Sequence, residues 1–274
     1  MKVRRVHFHV NKDKPEALAT YESLVGILPR FGMELCGKGA EADVVVALGG
    51  DGTILRAARL HGSVPVAGFN FGGLGYLASV DRSNFGNALS MLAEGRFKIS
   101  RRTMLEAKAR DGKTVSIALN DIVLMRQLSG HAAILDLNVD GRDVARYFAD
   151  GLIFATPTGS TAYSLAAGGP VLMPDSASFV VTPMNPHALG VRPMVVSDGV
   201  SMTVTSRARD GERGERDGRI GVYADGENVF NLDDGDVLEI RKSPEAATFV
   251  EFEGYDPYEV LSRKLGWSGH AKLA

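Results

Sequence analysis

The chain has 274 residues, of which 45% are hydrophobic and 23% are charged, and such a composition is ample for a real core. Its length predicts one large domain or two modest ones. The net charge of −2 gives no indication of a nucleic acid or an anionic membrane as partner. The single cysteine, Cys36, excludes an intrachain disulfide and a multi-cysteine zinc site.

The amino terminus alternates apolar and polar residues, so it lacks the unbroken apolar run of a signal peptide. No stretch approaches the roughly 20 apolar residues that a membrane span needs. We therefore expect a cytoplasmic protein without a membrane partner.

The first third of the chain alternates strand and helix patterns. Strand patterns occupy residues 3–10, 44–48 and 65–70, and helical patterns follow at residues 15–28, 53–60 and 84–93. The run at 44–48 is continuously apolar, which is typical of a strand buried on both faces of a parallel sheet. The alternation predicts a Rossmann-like α/β domain over residues 1–98.

After Arg101 the helical period largely disappears. Short β-rich runs at 117–125, 135–139, 152–156, 179–182, 202–205 and 237–241 alternate with Asp-Gly turns at 140–141, 150–151, 225–226 and 234–235. This pattern predicts an all-β, sandwich-like domain over residues 99–252. Residues 206–219 are almost free of apolar side chains and indicate a solvated loop. Residues 255–267 have a helical pattern, and we expect the segment 253–274 to return to the first domain.

The sharpest motif is GGDGT at 49–53, between a predicted buried strand and a predicted helix. Glycines there let peptide N–H groups approach phosphate oxygens, with help from the helix amino terminus. Asp51 would be repelled by phosphates unless it deprotonates a hydroxyl or acts through a metal ion. A tight turn in which Asp51 caps the helix is the structural alternative, and the two roles are compatible.

Three further segments are candidates for binding. A glycine-rich stretch at 68–77 follows the next strand and would extend the same concave floor, although a simple loop would have the same composition. The segment 149–170 is rich in small hydroxyl residues and glycine, which favours a binding loop over a surface loop because its ordering is costly. Asn120 and Asp121 interrupt an apolar strand, where either a ribose or a structural hydrogen bond would satisfy them. The six histidines are scattered and form no metal-binding pattern.

In order and spacing, these motifs resemble those of the NAD kinase family. The resemblance covers GGDGT at 49–53, residues 68–77, LND at 119–121, residues 150–170, TPMNPHALGVRP at 182–193 and KLGW at 264–267, and so extends over nearly the whole chain. GGDG alone is shared with lipid kinases and phosphofructokinases, whereas the block at 150–170 is highly specific. The resemblance implies a Rossmann-like domain, an all-β domain, and a site between them that phosphorylates the adenosine 2′-hydroxyl of NAD with ATP.

The resemblance also implies a role for individual residues. Asp51 is similar to the catalytic carboxylate that accepts the proton of the 2′-hydroxyl. The phosphate turn would consist of Gly49, Gly50 and Gly52, with Arg56 as a phosphate-binding cation. The residues that would bind the dinucleotide are Tyr76, Asn120, Asp121, His131, Asp150, Thr161, Ala162, Tyr163, Ser164, Leu165 and Ala166.

Two positions depart from the family pattern. Asp121 stands where the family usually has Glu, so the carboxylate reaches less far by one carbon–carbon bond. Glu227 stands where the family commonly has Gln, and we do not count it as a ligand. The resemblance further implies Mg²⁺ bound with ATP, inorganic polyphosphate as a possible second donor, and a homodimer or homotetramer, and it identifies no metal-ligating residue in the chain.

Three other functions fit the sequence less well. A lipid or sugar kinase with GGDG would lack the block at 150–170. An NAD-dependent oxidoreductase would carry GxGxxG with an acidic residue about 20 positions further on, which this sequence lacks. A dinucleotide sensor without catalysis would not need Asp51.

Overall fold

The computed structural model describes residues 1–62, 64–71, 75–77, 80–127, 132–207 and 219–267. It divides into two compact units, one of Met1–Arg102 with Ala246–Ala274 and one of Thr103–Glu245. The part of the predicted solvated loop at 208–218 lies outside the described residues.

Helices and strands alternate at the start of the chain. They are β1 (Arg5–Val10), α1 (Pro15–Ile27), β2 (Glu34–Leu35), β3 (Val44–Leu48), α2 (Asp51–His61), β4 (Val66–Asn70), β5 (Val80–Asp81) and α3 (Phe85–Glu94). Strands then dominate: β6 (Phe97–Ala109), β7 (Thr114–Ala118), β8 (Asp121–Arg126), β9 (Ala133–Val139), β10 (Arg142–Ala149), β11 (Gly151–Ala155), α4 (Tyr163–Ala166), β12 (Ser178–Met184), β13 (Met194–Ser197), β14 (Met202–Arg207), β15 (Ile220–Ala224), β16 (Glu227–Leu232), β17 (Val237–Phe252) and α5 (Pro257–Leu265).

The first unit is the predicted α/β domain. Its strands are parallel, in the order β2–β1–β3–β4, and β5 and the end of β17 also pair with β4. All residues of β3 and β4 are buried, as expected for central strands covered on both faces. Because the strands are parallel, the carboxyl ends of β1, β3 and β4 lie at one edge of the sheet.

The second unit is the predicted β-sandwich. One antiparallel sheet has the order β13–β12–β11–β8–β15–β16, and β10, β9, β14 and β17 form another run of antiparallel neighbours. Residues from both sheets form one hydrophobic core, among them Leu124 and Phe154 from the first sheet and Leu137 and Val204 from the second. The boundaries between the units fall within β6 and β17.

Two sequence predictions of local structure were wrong. The strand expected at 117–125 is divided, because β7 ends at Ala118 and β8 begins at Asp121. The peptide N–H groups in between are bonded to a side chain, described below, and not to a neighbouring strand. The Asp150–Gly151 pair is not a hairpin turn, since β10 and β11 pair with different strands there.

Residues that favour helix ends lie at the ends of α1 and α5, and α5 is shorter than the helical pattern at 255–267. Pro15 lies in the first turn of α1, and Asp256 caps α5 by accepting a hydrogen bond from the N–H of Tyr258 at 2.8 Å. Gly266 ends α5 in the left-handed conformation, with φ of 68°. No helix within the described ranges combines the length and the apolar character that crossing a membrane requires.

Candidate functional site

Asp51 lies at the carboxyl end of the buried strand β3. It is the first residue of α2, whose N-cap is Gly50 and has no side-chain capping bond, so the structural alternative, in which Asp51 caps the helix, does not hold. Its carboxylate instead accepts hydrogen bonds from the N–H groups of Tyr76, at 2.9 Å, and Leu77, at 3.2 Å. Two peptide donors from another segment thus fix the direction of this carboxylate.

The glycine-rich stretch at 68–77 reaches Asp51 through Gly75. A Cβ atom at Gly75 would overlap the carboxylate of Asp51, so only glycine allows this close approach. Gly49 is similarly constrained, because a Cβ there would overlap the side chain of Thr53. The described part of the stretch therefore adjoins the GGDGT turn, as the sequence predicted, while residues 72–74 lie outside the described residues.

Tyr76 is the residue directly after Gly75. Burial and the charge of Asp51 raise the pKa of the Tyr76 phenol above its ordinary value. The Lys264 ammonium lies 5.3 Å from the centroid of the Tyr76 ring, within the range of a cation–π contact. Lys264 belongs to α5, so the carboxyl-terminal helix contributes to this side of the first unit.

A cavity of about 680 Å³ lies beside the GGDGT turn. Two segments line it: one is residues 9–14, which include the last two residues of β1, and the other, from the turn and α2, contains Gly50, Gly52, Thr53, Arg56 and Leu60. Lys12, Lys14 and Arg56 outnumber Asp13 in the lining and make it cationic overall, and the amino terminus of α2 adds N–H groups. A cavity of this kind can bind phosphate groups.

The two lysines of this cavity, Lys12 and Lys14, were not predicted from the sequence. The available signal was their position directly after β1, whose last residue, Val10, pairs with Leu48 at the end of β3. Residues that follow neighbouring parallel strands lie at the same edge of the sheet.

Asn120 and Asp121 lie in the second unit, at the start of β8. The carboxylate of Asp225 accepts hydrogen bonds from the N–H groups of Leu119 at 3.0 Å, Asn120 at 2.7 Å and Asp121 at 3.2 Å. The Asp121 side chain is buried, and burial together with the charge of Asp225 raises its pKa to about 7. The sequence predicted the Asp-Gly turn at 225–226, but it predicted no separate role for the side chain of Asp225.

The segment after β11 packs against Asn120. The Thr156 N–H donates to the Asn120 carbonyl at 2.9 Å, and the Thr156 hydroxyl donates to the Leu119 carbonyl at 2.6 Å. A Cβ atom at Gly159 would overlap the Asn120 carbonyl, so glycine is required here as well. The predicted binding segment and the predicted polar pair therefore lie together.

The six residues 161–166 continue this segment through a 3₁₀ turn and the short helix α4. Tyr163 is 44% exposed, which leaves its ring accessible for stacking. Ser164 is fully buried, and its hydroxyl shares a hydrogen bond of 2.8 Å with that of Thr182. The side chain of Ser164 thus holds the helix in place, and any contact of this residue with a ligand would involve its backbone.

The structure does not bring Asp150 to this group. It precedes β11, whereas Asp121 pairs with Ala155 at the other end of that strand. Asp150 forms an ion pair with Arg126 at 2.8 Å and accepts a hydrogen bond from the Asn185 amide at 2.9 Å. His131 lies outside the described residues, and Glu227 is an exposed residue at the start of β16.

Among the described residues, no three side chains of His, Cys, Asp or Glu converge in a way that could hold a metal ion. Three described histidines of the first unit lie together, with the ring of His61 in contact with those of His7 and His9, but they form no such group.

Two family models match the chain. The ATP-NAD kinase N-terminal domain matches residues 31–97, and the ATP-NAD kinase C-terminal domain matches residues 119–252. Curated relatives include the NAD kinase of Gemmatimonas aurantiaca, 40% identical over 83% of this chain and 78% of the relative. The NAD kinase of Symbiobacterium thermophilum is 36% identical over 93% of this chain and 96% of the relative.

Solved structures are similar as well. Yeast NADH kinase complexed with NADH has a TM-score of 0.86 at 25% identity, covering 100% of this chain and 90% of that one. An NAD kinase from Archaeoglobus fulgidus in complex with ATP has a TM-score of 0.76 at 29% identity, covering 97% and 99%.

Proposed function

Because the chain belongs to the NAD kinase family, we propose that it transfers the γ-phosphoryl group of ATP to the 2′-hydroxyl of the adenosine ribose of NAD, which yields NADP. The observation that carries this proposal is the carboxylate of Asp51, held by two peptide N–H groups where a buried parallel strand ends. Ligands of open α/β sheets bind at that edge.

Asp51 is the general base of the proposed reaction. The 2′-oxygen of the ribose attacks the γ-phosphorus, and the bond from that phosphorus to the β,γ-bridging oxygen breaks as the new bond forms. The hydroxyl proton passes to Asp51, and ADP leaves. A ribose hydroxyl ionises far above neutral pH, so the carboxylate helps mainly when the proton becomes acidic during bond formation. The N–H groups of Tyr76 and Leu77 keep the accepting oxygens in one direction.

The cavity beside the GGDGT turn supports a role in holding the phosphates of the donor. Gly50 and Gly52 line it together with the cations Lys12, Lys14 and Arg56. Phosphoryl transfer depends on positioning and on the neutralisation of charge, and these groups supply both. We assign Gly49 to the same turn, since its close approach to Thr53 shapes the start of α2.

We assign the binding of NAD to two sets of residues. In the first unit, the candidate is Tyr76, whose peptide N–H donates to the carboxylate of Asp51 at 2.9 Å. In the second unit, the candidates are Asn120, Asp121 and residues 161–166, with the exposed ring of Tyr163 available to stack on a base. His131 and Asp150 remain part of the proposal through the family resemblance.

A divalent cation, with Mg²⁺ expected, belongs to the same proposal. The described residues contain no cage of three protein ligands, and Mg²⁺ in phosphoryl-transfer sites is held largely by substrate phosphates and water. Such an ion would enter the cavity already bound to ATP. Lys12, Lys14 and Arg56 would then hold the phosphate groups of ATP. When bound, such an ion neutralises negative charge on the donor phosphates.

The decisive experiment compares wild type with Asp51→Asn in an assay with ATP, Mg²⁺ and NAD, in which a specific dehydrogenase detects NADP. We expect wild type to form NADP and Asp51→Asn to have a kcat lower by about 10²–10⁴-fold, the range for loss of a general base. A product phosphorylated at the 3′-position, or no product, would contradict the assigned acceptor.

Asp43→Asn is a matched control. The carboxylate of Asp43 also accepts two peptide N–H groups, from Arg4 and Arg5 at 2.9 Å each, but it does not line the cavity. Its kcat should stay near that of wild type, and equal losses in the two variants would remove Asp51 from the chemistry.

Replacing ATP by inorganic polyphosphate in the same assay tests the second donor, and light scattering tests the proposed homodimer or homotetramer.

A further inference from the structure

Asp225 opens the tight turn that connects β15 and β16. Ala224 pairs with Glu227, so Asp225 and Gly226 are the two central residues of the hairpin. Both have positive φ, 50° and 85°, as a type I′ turn requires. Such a turn accepts Asn or Gly as readily as Asp, so the turn alone does not explain a carboxylate at this position.

The carboxylate has a second role that an amide could not take over. One of its oxygens accepts the N–H groups of Asn120 and Asp121, and the other accepts that of Leu119. The N–H of Asp225 in return donates to the Asp121 carbonyl at 3.0 Å. An Asn side chain has only one acceptor oxygen, and its amide group would face an N–H donor. The contact therefore requires both oxygens of a carboxylate.

The same short segment is held from its other side. Thr156 donates to the carbonyls of Leu119 and Asn120, and Gly159 packs against the Asn120 carbonyl. The backbone between β7 and β8 is thus fixed through its N–H groups by Asp225 and through its carbonyls by Thr156. A backbone with no freedom to turn presents the side chains of Asn120 and Asp121 in one orientation.

From this geometry we propose that Asp225 is a positioning residue for NAD: it aims Asn120 and Asp121 at the dinucleotide, and its negative charge acts on the carboxyl group of Asp121. The inference deepens the proposed function and depends on the assignment of NAD to Asn120 and Asp121. Asp225 itself need not touch the ligand.

The electrostatics of Asp121 agree with this geometry. The residues paired with the start of β8 are Ala155 on one side and Ala224 on the other, neither of which carries a charge. Asp225 is the charged group that acts on Asp121, and with burial it raises the pKa of Asp121 to about 7. A neutral carboxyl group has one O–H donor, which a carboxylate lacks. As the pH rises through about 7, Asp121 loses this donor, and the affinity for NAD should fall.

The test uses variants at Asp225 with a matched control at Asp140. Asp225→Asn keeps a residue suited to the turn, and Asp225→Gly keeps the left-handed turn without any side chain. Asp140 also opens an Asp-Gly turn with φ of 49°, but its carboxylate accepts a single N–H, that of Ser201 at 2.9 Å. Asp140→Asn therefore measures how the same substitution affects NAD binding when it is made in an Asp-Gly turn away from Asn120 and Asp121.

We expect both Asp225 variants to raise the Kd for NAD by about 10- to 100-fold in calorimetry, as expected when buried hydrogen bonds to a charged group are lost. The kcat at saturating NAD should change much less, and Asp140→Asn should bind NAD as wild type does. Asp225 variants that bind NAD no more weakly than Asp140→Asn would overturn the proposal.

A second readout follows the carboxyl group directly. The ¹³Cγ resonance of Asp121, assigned with Asp121→Asn, should titrate near pH 7 in wild type and at lower pH in Asp225→Asn, because the neighbouring charge is gone. Identical titrations in the two proteins would also overturn the proposal. This measurement needs no ligand, so a wild-type protein that fails to bind NAD would contradict the proposed function while the titration still decides the role of Asp225.

Discussion

At the scale of single residues, peptide N–H groups hold both carboxylates on which the proposals rest. Asp51 accepts two of them from the segment that follows Gly75, and Asp225 accepts three from the start of β8. Gly75, which has no Cβ atom, permits the close approach at Asp51, and Gly159 permits a close contact with the carbonyl of Asn120, whose N–H Asp225 accepts. Small residues therefore set the position of the charged groups.

Gly75→Ala should lower activity without unfolding the protein. The added methyl group would overlap the carboxylate of Asp51, which must then turn away from the N–H groups of Tyr76 and Leu77. We expect kcat to fall by about 10²-fold or more, because a misplaced base loses most of its contribution. Steady-state kinetics and circular dichroism together measure the effect.

Gly86→Ala is the control for this substitution. Gly86 lies in α3, and a Cβ atom there meets no heavy atom within 4 Å, so alanine fits a helix that it also favours. Its kcat should equal that of wild type. If Gly75→Ala retained wild-type kcat, the close approach would be irrelevant to the chemistry.

At the scale of elements, three histidines connect β1 with the end of α2. His61 lies 5.1 Å from His7 and 5.6 Å from His9 between ring centroids. Burial, followed by repulsion from His61, Arg56 and His7, lowers the pKa of His9, and burial followed by repulsion from His7 lowers that of His61. The packing of the helix on the strand therefore favours neutral imidazoles.

Acidification should weaken this packing. Since the folded-state pKa values of His9 and His61 lie below the ordinary value of 6.5, the unfolded chain binds more protons, and stability falls as the pH drops below about 6.5. His61→Phe keeps a ring between the strand and the helix but removes one titrating group. We expect its melting temperature to fall less between pH 8 and pH 5 than that of wild type.

His187→Phe is the comparison at an exposed position of the second unit. Its melting temperature should depend on pH as in wild type. A pH dependence that is the same in all three proteins would show that the histidine contacts have no part in acid stability.

At the scale of the whole molecule, each unit has its own hydrophobic core. The strands β6 and β17 are joined by an ion pair within each unit, Arg102 with Glu251 at 2.8 Å in the first and Glu106 with Arg241 at 3.1 Å in the second. Arg102 is almost fully buried, so removal of Glu251 would leave an uncompensated charge.

Binding of NAD should be visible in the stability of the whole chain. At a concentration of about 100 Kd a ligand stabilises the folded state by about 2.7 kcal/mol, which corresponds to roughly 5–10 °C in the melting temperature of a protein of this size. We expect this shift in wild type and in Asp140→Asn, and a much smaller one in Asp225→Asn at the same NAD concentration. A thermal scan in which NAD shifts none of the three would contradict binding.

The sequence alone was sufficient for the fold class and for much of the candidate site. Hydrophobic periodicity is a local property, so the strands β3 and β4, the helix α3 and the change to short β-rich runs after Arg101 were predicted from neighbouring residues. The GGDGT motif and the block at 150–170 also indicated the family, because the chemistry of phosphate binding constrains contiguous residues.

Only the tertiary structure decided which distant groups meet. The contact of Asp51 with the N–H groups of residues 76 and 77, the cavity that Lys12 and Lys14 share with Arg56, and the carboxylate of Asp225 beneath Asn120 join segments from 25 to 106 positions apart. The order of strands in a sheet determines such contacts, and no local pattern encodes that order. The same reason explains why β7 and β8 are separate strands: the acceptor for the N–H groups between them lies in a turn that folds back from far along the chain.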